Sequence, residues 1–104
     1  MNEVSPQEAW QRIQQGAFFV DVREPQEYEE LHAQGAVLIP LSEFQGRYQE
    51  IPKNREVIVV CRSGGRSARA AQFLLDQGYN AFNLVGGTQD WVANGLPIGE
   101  KEGN

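Results

Sequence analysis

The feature that most constrains the fold is an unbroken run of β-branched residues in the middle of the chain, Val57-Ile58-Val59-Val60. Such a run is typical of a strand that is covered on both faces, because a strand with one solvent-exposed face alternates apolar and polar side chains. Strands covered in this way belong to parallel sheets, since crossover helices lie on both faces of such sheets. The sequence therefore predicts a layered α/β fold around this strand.

Strand and helix patterns alternate on both sides of this run. Further strands are predicted at 18–22, 36–39 and 81–85, and helices at about 6–15, 24–31, 42–51, 66–77 and from 88. Ser5 and Ser42 are expected to open their helices in capping boxes, and Thr88 is expected to be an N-cap. The alternation predicts right-handed crossovers and a three-layer α/β/α fold with a mostly parallel central sheet of about five strands.

The length of 104 residues predicts a single domain, 1–104, with a core at about 3–97 and a frayed tail at 98–104. Apolar residues form 40% of the chain and charged residues 22%, as in ordinary globular domains. No apolar run approaches the ~20 residues that cross a bilayer, and residues 1–4 carry no basic leader. We therefore expect a cytoplasmic protein with no membrane partner.

The charge of the chain argues against a polyanionic partner. Its net charge is −5, which repels nucleic acid and anionic lipid. Three bases nevertheless lie close together, directly after the only cysteine: Arg62, Arg66 and Arg69. A local basic patch on an acidic protein predicts a small anionic ligand rather than a polymer.

The chain has one cysteine, Cys61, and one histidine, His32. A single cysteine forms no internal disulfide, which suits a reducing compartment. One cysteine and one distant histidine are a poor ligand set for zinc, so we predict no structural metal.

Cys61 is followed by a loop with the features of an anion site. It lies at the carboxyl end of the β-branched strand, where ligand crevices of open parallel sheets are found. Gly64 and Gly65 let the backbone curl and turn its N–H groups inward, and the helix that follows adds unpaired N–H groups at its N-terminus. A free thiol has a pKa near 8.5 and is only about 3% ionised at pH 7. We expect this loop to lower that pKa and to make Cys61 a nucleophile.

A simpler interpretation is that Cys61 is a buried small apolar residue, which is the usual place of a free cysteine. The arginines would then be ordinary exposed residues at the start of a helix. A core thiol needs neither two glycines nor three arginines, and cations at a helix N-terminus are unfavourable without an anion. The functional interpretation is therefore favoured.

These motifs resemble those of the rhodanese family, the thiosulfate sulfurtransferases. The matching segments follow one another in family order over about residues 3–97: 21–28, Gly35-Ala36 with Ile39-Pro40, 61–67 with Ala70-Ala71, and Leu84 with Gly86-Gly87 and Trp91. The turn 32–35 departs from the family pattern, which more often has Gly before the histidine and Ile after it. No catalytic position is lost by this difference.

The resemblance implies a two-step sulfur transfer without a cofactor. Cys61 takes a sulfur from a small anionic donor such as thiosulfate, carries it as a persulfide, and passes it to an external thiol, cyanide or a protein acceptor. The resemblance implies that the loop cradles the persulfide and that Arg62 and Arg66 orient the donor, the loop residues being Arg62, Ser63, Gly64, Gly65, Arg66 and Ser67. Asp21 and Arg23 are expected to form a supporting ion pair.

Two other functions compete with this interpretation. Cysteine phosphatases also set Cys and Arg in an amide-lined loop, but with one residue more than the four that separate Cys61 from Arg66. A rhodanese-like binding module without activity is the other rival, although such modules typically lack the cysteine. Fold alone does not decide between these functions.

Overall fold

Five parallel strands build the centre of the molecule in the computed structural model, which describes residues 1–100. Residues 1–100 contain seven strands, five of them in this sheet: β1 (Glu3–Val4), β2 (Phe18–Asp21), β3 (Leu31–Ala33), β4 (Val37–Leu38), β5 (Glu56–Val60), β6 (Asn80–Leu84) and β7 (Ile98–Glu100). The central sheet has the order β1-β6-β5-β2-β4, and each of its neighbouring pairs is parallel. The predicted parallel sheet of about five strands is confirmed.

Helices connect these strands and cover both faces of the sheet. They are α1 (Pro6–Gln14), α2 (Pro25–Glu30), α3 (Leu41–Arg47), α4 (Gly65–Asp76) and α5 (Gly87–Ala93), and a single 3₁₀ turn, Tyr48–Glu50, follows α3. Within residues 1–100, no helix is both long enough and apolar enough to cross a bilayer.

The side chains of β5 alternate between two buried clusters, which explains why its sequence is apolar throughout. Val57, Val59 and Cys61 contribute to a cluster with α3 and α4. Ile58 and Val60 contribute to the opposite cluster, where Trp91 of α5 is fully buried. The alternation places Cys61 on the α4 side of the sheet, at the carboxyl end of its central strand.

Helix caps were predicted with mixed success. Ser5 caps α1, because its hydroxyl accepts a hydrogen bond from the Glu8 N–H at 3.2 Å. The carboxylate of Glu8 completes no capping box and instead binds Arg12. The prediction for Ser42 is wrong: α3 begins at Leu41, directly after Pro40, so Ser42 lies inside the first turn.

Thr88 is also not an N-cap. Gly86 and Gly87 both have positive φ angles, of 79° and 61°, and α5 begins at Gly87. The Thr88 hydroxyl therefore lies inside the helix, where it donates to the Cys61 carbonyl oxygen at 3.0 Å.

A second, two-stranded sheet was not predicted. Its strands β3 and β7 are antiparallel, and Ala33 pairs with Ile98. Residues 98–100, assigned to the frayed tail by sequence, instead form β7, because β3 offers them an unpaired edge. Residues 101–104 of the predicted tail lie outside the described residues.

Candidate active site

The candidate site lies where β5 ends and the loop to α4 begins. Cys61 directly follows the last residue of β5, and Gly64 is the N-cap of α4 with a φ of 117°. A side chain at this φ is strongly disfavoured, so Gly64 allows the sharp turn. The turn brings the start of α4 back over the sulfur atom.

The Cys61 sulfur accepts hydrogen bonds from the loop. The Gly64 N–H donates to Sγ at 3.1 Å, and the Ser67 hydroxyl lies 3.2 Å from it. Burial alone raises the pKa of this thiol, but bonds from the Ser67 hydroxyl and from the main-chain N–H groups of Ser67, Gly64 and Ser63 outweigh it. The pKa of Cys61 is therefore lowered from its ordinary value, because these donors stabilise the anion.

The sulfur is nevertheless deep in the molecule. Cys61 is only 1% exposed and packs with apolar residues such as Val22, Ala70 and Leu74. The simpler interpretation, a buried small residue, is thus correct about burial. It does not explain the donors on the sulfur, which an apolar thiol does not need.

Ser67 links the sulfur to Asn83 of β6. The Ser67 oxygen lies 2.6 Å from the Asn83 Oδ1, and the Asn83 Nδ2 donates to the Gly64 carbonyl oxygen at 3.3 Å. Since the amide oxygen only accepts, the single hydroxyl hydrogen serves either Asn83 or the sulfur at one time. When Cys61 is protonated, its S–H group can donate to the Ser67 oxygen. When Cys61 is ionised, the Ser67 hydroxyl donates a hydrogen bond to the sulfur.

The first turn of α5 holds the other side of the loop. The Thr88 N–H donates to the Cys61 carbonyl oxygen at 2.8 Å, and the Gln89 N–H donates to that of Arg62 at 3.1 Å. Gly87 allows this approach, because a Cβ atom there would lie 2.5 Å from the Arg62 carbonyl carbon and 2.6 Å from the Cys61 oxygen. The loop is therefore fixed on both sides by main-chain hydrogen bonds.

Arg66 is held by a carboxylate that sequence reasoning did not identify. Its two terminal nitrogens donate to the two oxygens of Glu27, at 2.8 and 3.0 Å. This forked contact, with a smaller contribution from the Glu24 N–H, lowers the pKa of Glu27 to about 2. Arg66 is thus ion-paired, and not simply available to a donor.

The three loop arginines do not form the single patch that the sequence predicts. Arg66 pairs with Glu27, and Arg69 is exposed beside a separate small groove formed by residues such as Phe44 and Phe73. Arg62 is exposed on a cleft of about 690 Å³, which Glu27 and residues such as Thr88 and Val92 also line.

Asp21 and Arg23 form a buried bracket beside the loop. The Arg23 guanidinium donates to both carboxylate oxygens of Asp21, at 3.0–3.1 Å, and to the Leu31 carbonyl oxygen at 2.7 Å. In the sheet Asp21 pairs with Val60, the residue that directly precedes Cys61. The pair therefore ties the end of β2 to β3, near the start of the loop.

The remaining predicted residues, Gly65 and His32, form no recorded hydrogen bond to the sulfur. Gly65 is the exposed first residue of α4, and His32 in β3 stacks on Tyr28 with ring centroids 3.8 Å apart. Within residues 1–100, no group of three or more His, Cys, Asp or Glu side chains is placed to hold a metal ion.

Glu27, Asn83 and Thr88 are the residues that sequence reasoning missed. Each acts across a long separation in the chain: Glu27 is 39 residues from Arg66, and Thr88 is 27 residues from Cys61. Glu27 and the glycines before Thr88 lay within the recognised motifs, which marked their segments but not their partners. Asn83 directly precedes one of those motifs and had no signal of its own.

Comparison with known proteins finds similar sequences that cover nearly the whole chain. A family described as "Rhodanese-like domain" matches residues 5–94. The chain is 38% identical to a sulfurtransferase of Allochromatium vinosum, with 99% of each protein covered. It is 37% identical to the thiosulfate sulfurtransferase GlpE of Haemophilus influenzae, with 92% of each covered.

Solved structures show the same fold. The chain is similar to a rhodanese-related protein from Thermoplasma volcanium, with a TM-score of 0.89 and 28% identity over 95% of this chain and 98% of that one. It is also similar to a rhodanese-like domain protein from Staphylococcus aureus, with a TM-score of 0.80 and 27% identity over 99% and 95% of the two chains.

Replacement of Gly87 tests the close contact between α5 and the loop. We expect Gly87→Ala to lower the free energy of unfolding by about 3 kcal/mol, because it adds a clash with main-chain atoms to the strain of a positive φ. Gly95→Ala is the matched control, since Gly95 has a φ of 72° and open space around it, and should cost about 1 kcal/mol. Equal losses in urea unfolding would contradict the contact.

Replacement of Ser67 tests the side-chain donor on the sulfur. We expect Ser67→Ala to raise the pKa of Cys61 and to slow its alkylation by iodoacetamide at pH 7 by roughly tenfold, since a bond to a charged group is lost. Ser63→Ala keeps the main-chain N–H of its residue and should react as the wild type does. An unchanged alkylation rate in Ser67→Ala would show that this hydroxyl does not stabilise the thiolate.

Proposed function

The chain belongs to the rhodanese-like domain family, and we propose that it is a sulfurtransferase in which Cys61 carries the transferred sulfur as a persulfide. The observation that carries this proposal is the set of hydrogen bonds donated to the Cys61 sulfur, which stabilise its anion in spite of burial. The similarity to proteins named sulfurtransferase supports the same class of reaction.

The first step is attack of the Cys61 thiolate on the outer sulfur of thiosulfate. A new S–S bond forms to Cys61, and the bond between the two sulfurs of thiosulfate breaks. Its electron pair leaves with sulfite as a dianion, and the terminal sulfur of the persulfide keeps the negative charge that it carried in thiosulfate. No base is needed if the thiol is already ionised, which fits a site with no histidine bonded to the sulfur.

The second step restores the thiolate. Cyanide or a thiolate attacks the terminal sulfur, the S–S bond breaks, and its electron pair returns to Cys61. Because Cys61 is the only cysteine, no second one in the chain can take up the sulfur, and the acceptor comes from outside. The donor and the acceptor thus react in turn at one atom, and ping-pong kinetics follow.

The donor reaches the sulfur through the mouth of the loop. Arg62 lines the cleft of about 690 Å³ beside the loop, and its guanidinium suits forked binding of a sulfonate oxygen pair. Main-chain N–H groups of the loop then bind the terminal sulfur of the persulfide, as they bind the thiolate. Since Cys61 is 1% exposed, this approach requires a small donor or a slight opening of the loop.

We propose that the protein works in the cytoplasm without a metal or cofactor. Its partners are a small anionic sulfur donor and an external thiol, cyanide or protein acceptor. The charge of −5 supports the expectation that neither nucleic acid nor an anionic membrane is a partner.

A cysteine phosphatase and an inactive binding module are the competing functions, and no observation favours either of them. The hydrogen-bond donors around the Cys61 sulfur argue against an inactive module, because a binding surface does not need a stabilised thiolate. Parallel assays with thiosulfate plus cyanide and with an aryl phosphate distinguish the two enzymes. We expect turnover in the first assay only.

Persulfide formation is the direct test of the proposal. After treatment with thiosulfate, intact mass should rise by one sulfur atom, about 32 Da, and peptide mapping should place it on Cys61. Cyanide should then remove the added mass. Cys61→Ser should gain nothing under the same conditions, and an unmodified wild-type protein would contradict the proposal.

A further inference from the structure

Glu27 and Arg66 form an ion pair at the edge of the site. Each oxygen of the Glu27 carboxylate accepts from a different nitrogen of the guanidinium, and Oε1 also accepts from the Glu24 N–H at 3.0 Å. The start of α2 therefore fixes the carboxylate, and the carboxylate fixes Arg66. Forked contacts of this kind also have the geometry with which arginine binds a sulfonate.

The pair is partly exposed, and its carboxylate lies on the cleft. The side chains of Arg66 and Glu27 are 34% and 31% exposed, and Glu27 lines the cleft with Arg62. An incoming anion can therefore compete with Glu27 for the same N–H groups. With a pKa of about 2, Glu27 keeps its negative charge at neutral pH.

We infer that Glu27 is a specificity-determining residue, an internal competitor for Arg66 that selects against doubly charged anions at the Cys61 site. This inference deepens the proposed function and rests on it. A dianion such as thiosulfate uses Arg66 fully only after displacing the Glu27 carboxylate, and it meets repulsion from that carboxylate as it approaches. Donors with one negative charge, such as a persulfide ion, lose less from this competition.

The arrangement also explains why the loop arginines do not act as one anion trap. Of Arg62, Arg66 and Arg69, Arg66 is neutralised by its partner and Arg69 lies beside a separate groove. Arg62 and Arg23 line the cleft together with the carboxylates of Glu27 and Glu30. The charge of the cleft is therefore close to balanced, which favours a donor of low charge.

Protection of Cys61 from alkylation measures anion binding without any sulfur transfer. Sulfate, an unreactive dianion, should slow the reaction of Cys61 with iodoacetamide, and the half-protecting concentration should fall roughly three- to fivefold in Glu27→Gln. The glutamine keeps an oxygen for the Glu24 N–H, so the start of α2 is preserved. With thiocyanate, a monoanion, the change should be smaller.

Two further variants make the test specific to the ion pair. Glu29→Gln removes the same charge from an exposed position of the same helix and should leave sulfate protection as in the wild type. In an Arg66→Ala background, Glu27→Gln should have a clearly smaller effect on protection, because only the direct repulsion of the dianion is then removed. An equal effect of the two glutamine variants, or an effect of Glu27→Gln that is as large without Arg66 as with it, would overturn the inference.

Kinetics with thiosulfate separate this inference from the proposed function. If Cys61 forms a persulfide, Glu27→Gln should lower KM for thiosulfate by about the same factor and leave kcat unchanged. If no persulfide forms, the proposed function fails, but sulfate protection still decides whether Glu27 competes for Arg66. A raised KM in Glu27→Gln would show that the carboxylate positions Arg66 for the donor, and the inference would be wrong.

Discussion

Hydrogen bonds from uncharged donors to one buried sulfur are the interaction on which the proposed chemistry depends. Burial alone would raise the pKa of Cys61 and leave a weak nucleophile. The N–H groups of the loop and the Ser67 hydroxyl reverse that effect. The rest of the structure serves to hold them in place: β5 delivers the sulfur, Gly64 turns the chain, and the first turn of α5 binds the loop from the other side.

Charged groups surround this site mainly as pairs. Asp21 pairs with Arg23 in the interior, and Glu27 pairs with Arg66 at the edge of the cleft. The sulfur is therefore stabilised mainly by dipoles, and the nearby cations are largely compensated. Such an arrangement favours an anion on Cys61 itself without strongly attracting every anion in solution, as the proposed selection among sulfur donors requires.

Local patterns in the sequence predicted the central sheet and the loop. The β-branched run at 57–60 identified the central strand, and Cys61 with the two glycines after it located the candidate site. These features need only neighbouring residues to be understood. The cap at Ser5 was predictable for the same reason, whereas Ser42 and Thr88 were misassigned because the helix starts depend on Pro40 and on two glycines with positive φ.

Contacts between distant residues were beyond the reach of local patterns. The pairing of β3 with β7 requires two segments more than 60 residues apart, and the partners of Arg66 and Ser67 lie on other elements. No spacing rule connects Glu27 to Arg66. The sequence thus pointed to the candidate nucleophile and its loop, and the structure supplied the partners that hold or restrain them.

The pH dependence of Cys61 alkylation tests the central claim most directly, because the chain has no other cysteine. The rate of reaction with iodoacetamide, measured for native protein and for protein unfolded in urea, should follow the ionised fraction in each state. In the unfolded protein the midpoint pH should be near the ordinary thiol pKa of about 8.5. In the native protein the midpoint pH should be lower. A native midpoint at or above the unfolded one, or a native thiol that does not react at any pH, would contradict the claim.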